Sequence, residues 1–378
     1  MMGYSNGMKH LEKGEYRMKK LVLLLTTFIL TLGMLTGCSS KEGKSDDYSV
    51  ALLIPFQGDQ SFYDLAVEGM NLVKDQVEGV STKIIEIGND ESKWESYFID
   101  AAEAGYDVIL SCNWQITPYM NKVAEQYPEQ KFINFDIEEG SGLENVYSMF
   151  YSTNEIGFLC GVVAAATTSS DMALADENAK IGFIGGMDIP GINDFMVGYI
   201  EGAKYVNPDI KVSVSYVGDF TDVATAKEIA LNQYKSGVDI IFACAGNSGN
   251  GVIDAANELN KYAIGVDSDQ AKLYAESDRA KAEKIITSGY KTIDQTILRA
   301  VKEAKEGTLA WGTHEQFGVK EDGVGIVKNE FYEAAVTEDV NKAVEAAEAA
   351  LKAGEVTVST AFKMEDKAIV ELRESVQP

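Results

Sequence analysis

Histidine is nearly absent from this chain, with two in 378 residues, His10 and His314. A Ser-His-Asp or Cys-His pair, or a His-rich metal cage, would have to be built on the one imidazole outside the N-terminal region, and His314 falls in a connecting segment. Past residue 37 there is no GxSxG elbow, no GxxxxGK[ST] phosphate loop and no HExxH pair. The common hydrolase, nucleoside-triphosphatase and zinc-protease chemistries therefore lack their carriers. Neither a catalytic residue nor a cofactor is expected. Cysteine is also scarce: of four, Cys112, Cys160 and Cys244 follow Cys38, an odd number without CxxC spacing. That excludes a disulfide framework and a zinc site and leaves three buried thiols. Positive charge is short as well, 33 Lys and Arg against 59 Asp and Glu for a net charge of −26. Such a surface repels a polyanion, so nucleic acid is not an expected partner. With six prolines and no long biased tract after the N-terminus, the rest has an ordinary globular composition.

The N-terminus fixes an expected location. "MKK" (18–20) precedes the apolar run "LVLLLTTFILTLGML" and then "LTGCSS", the order of a basic region, an apolar core and a small-residue cleavage box. The run is short for a membrane span. Residues 1–37 read as a signal peptide with an upstream extension, Cys38 as the lipid-modified first residue, and 38–47 as a tether. A lipid-anchored protein on the extracytoplasmic face of the cell membrane follows.

From Tyr48 onward, short continuous apolar runs alternate with amphipathic ones: "VALLIPF", "TKIIEIG", "YDVILSCN", "KFINFD" and "NVYSMFY", then "KIGFIGG", "IKVSVSYVG", "VDIIFACAG" and "KYAIGVDS". Uninterrupted apolar strands between helices predict doubly wound parallel sheets, an α/β fold, and the rhythm occurs twice. Two lobes are expected, one of residues 48–152 with 270–307 and the other of 153–269 with 308–378. The crossings fall near Ser152, after Asp267 and after Gly307, making a multi-strand hinge with a cleft for a small ligand.

Four acids end presumed strands: Asp59, Asp136, Asp188 and Asp267. The carboxyl edge of an open α/β sheet faces the ligand crevice, and carboxylates accept from hydroxyl and N–H donors. Any one of them can equally be a helix cap. Aromatic rings accompany them: Phe62 and Tyr63, Trp114, and Phe195. Rings beside carboxylates suit a planar heterocycle, although Phe62 and Phe195 can also be helix-face core. "GNSGNG" (246–251) fails the GxGxxG spacing and reads as a tight turn near an uncharged ligand. In "GDQSFYDLAVEGM", Ser61 and Asp64 have capping-box spacing, which would start the helix there.

Taken together, "LTGCSS", "GDQSFYDLAVEGM", "IGFIGGMDIPGINDFMVGYIEGAKYVNPDIKV", "AGNSGNGVIDAA" and "IGVDSDQ" resemble the basic membrane protein family of bacterial lipoproteins. Its members include purine nucleoside receptors that serve ABC transporters. The resemblance spans the mature chain and implies a type I periplasmic-binding-protein fold with a nucleoside held between the lobes. It implies that Phe62 and Phe195 stack on the base, that Asp136 accepts base N–H donors, and that Asp267 and Lys291 hold the ribose hydroxyls. Asp59 and Gly246 would line the same cleft, and an ABC permease would be the partner.

Two positions depart from the family pattern. Tyr63 stands where Asn is usual, and "CNWQ", which carries Asn113, replaces a Gly-Phe-rich turn. Both change the contact surface of the first lobe, so another solute, or a sensory or regulatory receptor of the same fold, remains open. A calcium-dependent nucleoside hydrolase would need a DxDxxxDD run, which is missing.

Overall fold

The computed structural model describes residues 47–175 and 179–378. Cys38, with the signal and tether segments before residue 47, lies outside the described residues. Among the described residues no helix is long and apolar enough to cross a membrane.

Strand β1 (Tyr48–Ile54) is buried without alternation from Val50 to Ile54, because helices cover both faces of its sheet. It lies among β2 (Val80–Glu86), β3 (Val108–Cys112), β4 (Lys131–Phe135) and β5 (Val146–Tyr151), with β11 (His314–Phe317) at the edge. The order is β11-β5-β4-β3-β1-β2, and every pairing is parallel. The second sheet contains β6 (Lys180–Gly185), β7 (Lys211–Tyr216), β8 (Ile240–Cys244), β9 (Tyr262–Asp267), β10 (Ile285–Lys291) and β12 (Val324–Ile326). Its order is β12-β10-β9-β8-β6-β7, parallel except where β12 runs against β10. Both sheets thus reverse their winding beside their first strand, β1 or β6. That reversal opens a crevice at the carboxyl ends of the strands.

The chain passes between the sheets three times: at Ser152, between Lys291 and Ile293, and between Phe317 and Val324. The last two differ from the sequence-based boundaries, which send the chain across after Asp267 and Gly307. β10 stays in the second sheet because it pairs directly with β9. The helix after it, Ile293–Glu306, is the element that changes lobe, lying on Phe62–Gln76 where Gly69 leaves room for Asp294 and Ile297. β11 then pairs with β5 and puts 314–317 in the first lobe.

Past the first crossing, helix Thr153–Thr168 is buried almost throughout and packs on helix Pro190–Val206. Backbone meets backbone there: a Cβ on Gly198 would lie 1.9 Å from the Asn154 carbonyl oxygen, and one on Gly157 2.1 Å from that of Phe195. Only glycine permits that approach. The helix that carries Phe195 is therefore seated against the first turn beyond the hinge.

Candidate functional site

The carboxyl edges of both sheets face one cleft of about 770 Å³. All nine residues singled out from the sequence line it: Asp59, Phe62, Tyr63, Asn113, Asp136, Phe195, Gly246, Asp267 and Lys291. Sharp turns at the strand ends bring them there. Asn113 (φ 58°) after β3, Asp136 (φ 61°) after β4, Asp267 (φ 65°) closing β9 and Gly246 (φ 54°) after β8 are all left-handed. Three of the four are not glycine, so a side chain is kept where the backbone would prefer none.

Lys291, at the end of β10, is buried, 5% exposed, and its ammonium gathers the site. Nζ donates to both Asp136 carboxylate oxygens at 3.0 Å and lies 3.7 Å from Asp267 Oδ1. The same nitrogen is 5.2 Å from the Phe62 ring centroid and 5.3 Å from that of Phe195, within cation–π range of both. Burial works against the charge on Lys291, but Asp136 and Asp267 outweigh it and hold its pKa above the usual lysine range. Burial raises the Asp267 carboxyl, opposed by Lys291 and by a bond from Ser61.

Among the contacts that cross between the lobes, two are made by these charged groups. One is Lys291 with Asp136. The other is Ser61, whose hydroxyl donates to Asp267 Oδ2 at 2.7 Å. Ser61 therefore does not cap its helix with its side chain. Asp59 does that work, accepting from the amides of Ser61 (3.1 Å), Tyr63 (2.9 Å) and Asp64 (3.0 Å). Asp64 turns back onto the amides of Gly58 and Gln60 at 2.7 and 2.9 Å. The reciprocal cap is thus Asp59 with Asp64, and the expected Ser61–Asp64 box is replaced because Asp267 takes the serine. Burial pushes the Asp59 carboxyl up to about 6 against those three amides.

Tyr63 is edge-on to Phe62 at 5.4 Å and to Phe56 at 5.3 Å, and its hydroxyl accepts from Asn113 Nδ2 at 3.3 Å. The two departures from the family pattern therefore touch each other. Trp114, beside them, is 51% exposed and borders the cleft. Phe195 is buried and meets Phe242 edge-on at 6.0 Å, so it belongs to the core and to the cleft wall at once.

Asp188 is not among the lining residues. It accepts from Asn193 (2.8 Å) and Arg373 (3.0 Å) and ties the C-terminal helix to the second lobe. The turn at 246–251 is also structural in part, since a Cβ on Gly251 would strike the Val223 carbonyl at 2.1 Å. Lining residues that sequence reasoning missed include Phe150, Phe220, Asn247 and Phe362. Phe220 and Asn247 follow the ends of β7 and β8, so the strand-end rule could have found them. Phe150 within a strand and Phe362 in the C-terminal segment carried no such signal.

Among the described residues the cleft borders seven carboxylates, Asp59, Glu91, Asp136, Glu138, Glu139, Asp219 and Asp267, against one cation, Lys291. No group of three or more His, Cys, Asp or Glu is arranged to hold a metal ion among the described residues. The arrangement offers two aromatic faces, hydrogen-bond acceptors and one paired ammonium, which suits reversible capture of a neutral polar solute.

The family profile of ABC transporter substrate-binding protein, PnrA-like, matches residues 49–357. Basic membrane protein D of Borreliella burgdorferi is 32% identical over 84% of this chain and 89% of its own. The ABC transporter nucleoside-binding protein BmpA of Lactococcus lactis is 29% identical over 90% of this chain and 99% of its own. Among solved structures, an ABC transporter solute-binding protein from Aeropyrum pernix K1 superposes with a TM-score of 0.75 at 25% identity, covering 87% of this chain and 97% of that one. A periplasmic solute-binding protein from Actinobacillus succinogenes with bound D-allose, at 13% identity and a TM-score of 0.57 over 76% and 99% of the two chains, shares the fold alone. This chain has the two-lobed type I periplasmic-binding-protein fold and belongs to the PnrA-like family of ABC transporter substrate-binding proteins, which are not enzymes.

Proposed function

We propose that the protein captures a nucleoside, and specifically a purine nucleoside, between its lobes and delivers it to an ABC permease from a lipid anchor at Cys38. The observation that carries this reading is the grouping of Phe62 and Phe195 about Lys291, with Asp136 and Asp267 on the same ammonium. A base entering between the rings would stack on both, its N–H groups would bond to Asp136, and ribose hydroxyls would exchange bonds with Asp267 and Lys291. The nucleoside-binding relative from Lactococcus lactis supports the ligand class. Ser61 with Asp267 and Lys291 with Asp136 would hold the lobes closed over the solute. Titration calorimetry with adenosine, guanosine, inosine, cytidine and uridine tests the reading; heat of binding with the purine nucleosides is expected. No saturable heat with any of them, beside clear binding of another solute, refutes it.

A second reading, another small polar solute, is favoured by the Tyr63–Asn113 hydrogen bond and the exposed Trp114 at the cleft. Mass spectrometry of the compound that leaves the protein on denaturation separates the two. Mass spectrometry of the N-terminal peptide tests the anchor, which predicts a diacylglyceryl mass on Cys38.

A further inference from the structure

The family match ends at residue 357, and the chain beyond it is built into the cleft. The Val358 and Ser359 carbonyls accept from Asn154 Nδ2 at 3.1 and 3.3 Å. Thr360 Oγ1 and the Ala361 amide then donate to Asp194 Oδ1 at 2.7 and 2.8 Å. The other Asp194 oxygen accepts from Thr153 Oγ1 at 2.6 Å and from the Asn154 amide at 2.9 Å. One fully buried carboxylate thus joins three things: the first residues past the Ser152 crossing, the C-terminal segment, and the turn of helix that presents the next residue, Phe195. Four donors on one buried carboxylate make a rigid node.

One step further along, Phe362 lines the cleft, and its ring meets Phe150 of β5 edge-on at 5.7 Å and 80°. Phe150 belongs to the first sheet, whereas the segment bearing Phe362 is fastened to the second lobe. Its helix Asp366–Val376 is pinned there through Arg373, which bonds to Asp188 and lies over the Tyr216 ring at 5.4 Å. The contact between these two rings therefore crosses from one lobe to the other.

We propose that the C-terminal segment Val358–Val376 is part of the solute site. Phe362 is a binding residue that walls the cleft against Phe150, and Thr360 with Ala361, acting through Asp194, positions Phe195. This rests on the cleft being where solute binds. A strap that merely stabilised the fold would lower the melting temperature when cut and leave affinity untouched; loss of a wall of the solute site lowers affinity by more than any change in stability accounts for.

The test uses the full chain in detergent, with inosine as the probe. Phe362→Ala is expected to weaken inosine binding about tenfold or more, with the melting temperature of the solute-free protein within a few degrees of the parent. Thr360→Val, which removes a donor from Asp194, is expected to weaken binding several-fold and to speed amide exchange over residues 190–198, and Thr360→Ser restores both. Parent-like affinity in both Phe362→Ala and Thr360→Val overturns the proposal. So does a loss of affinity that only tracks a fall in melting temperature. If the parent itself binds no inosine, the nucleoside reading has failed, and the compound that leaves the parent on denaturation replaces inosine as the probe for the same two variants, with the same results supporting or overturning the segment's role.

Discussion

Replacing Lys291 by Met keeps most of the side chain's length and removes the cation that pairs with Asp136 and Asp267. At an effective dielectric constant of 20, an ammonium 3.0 Å from Asp136 gains about 5.5 kcal/mol, and one 3.7 Å from Asp267 about 4.5 kcal/mol. Most of that is offset by taking three ions out of water. What the variant measures is the cost of stranding two carboxylates without a counter-ion, about 3–5 kcal/mol. Urea denaturation at pH 7 is the assay, with that much lost from the unfolding free energy. The loss has a pH signature. Burial already raises the Asp267 carboxyl, and Lys291 opposes the rise, so the variant lifts it further. A carboxyl raised in the folded state favours folding below its unfolded pKa and loses that contribution as pH climbs through the folded value. The gap between variant and parent should therefore shrink from pH 7 to pH 5, and Lys291→Met with Asp267→Asn should recover part of it at pH 7. A loss below about 1 kcal/mol that does not change with pH would refute the reasoning, because it would mean that water solvates the two carboxylates left behind and that neither is stranded.

The remaining predictions are more local. Phe62→Ala and Phe195→Ala should each weaken purine nucleoside binding about 10–100-fold by calorimetry, at ~1–3 kcal/mol for a base stacked on a ring, while Phe62→Trp retains most of it. Inosine 5′-monophosphate should bind at least about 100-fold more weakly than inosine in competition titrations, since seven carboxylates border the cleft and its one ammonium is already paired; equal affinity would contradict this electrostatic account. The Asp59 carboxyl, raised by burial to about 6, takes up a proton on folding as pH falls, so the parent should gain about 1.4 kcal/mol relative to Asp59→Asn between pH 7.5 and pH 5 in urea melts. Gly198→Ala, whose Cβ would sit 1.9 Å from the Asn154 carbonyl oxygen, should cost about 1–3 kcal/mol or more of stability by forcing two buried helices apart, and a thermal melt reads it.

The strands and the cleft edge were legible because both follow from local rules. A strand covered on two faces must be apolar along its length, and "ALLI" or "DIIFAC" can be little else. The residue that ends such a strand faces the crevice in either sheet, which is how Asp136 and Asp267 could be picked without knowing what lies opposite them. Pairings between distant segments were not legible in the same way. β10 follows two short helices, Gln270–Tyr274 and Arg279–Ala282, and nothing in "KIITSGY" says that it pairs with β9 instead of crossing. Asp188 satisfies the strand-end rule as well as Asp136 does; Arg373, 185 residues away, claims its carboxylate. Ser61 fits a capping box by spacing and is drawn off by Asp267, 206 residues on. For Asp188 and Ser61 the local rule is sound and a distant side chain overrides it.

The left-handed residues at the cleft tie that pattern to function. Asn113, Asp136 and Asp267 each hold a backbone conformation that glycine would adopt without strain, at a cost of about 1–2 kcal/mol apiece for other residues, less for Asn and Asp. Gly246 occupies the corresponding turn after β8 with no such cost. If the three turns served only to reverse the chain, glycine would do better at all of them. The side chains kept there have work that glycine cannot do: Asn113 donates to Tyr63 and caps its own helix through the Gln115 and Ile116 amides, Asp136 holds Lys291 across the lobes, and Asp267 receives Ser61 from the opposite one. Strain at Asp136 and Asp267 is balanced by bonds that exist only when the lobes face each other, and that at Asn113 by bonds within the first lobe. Opening the cleft would give up the Lys291–Asp136 and Ser61–Asp267 bonds while leaving the strained backbone in place. A solute that bonds to these groups in the closed form and not in the open one would add to that bias toward closure.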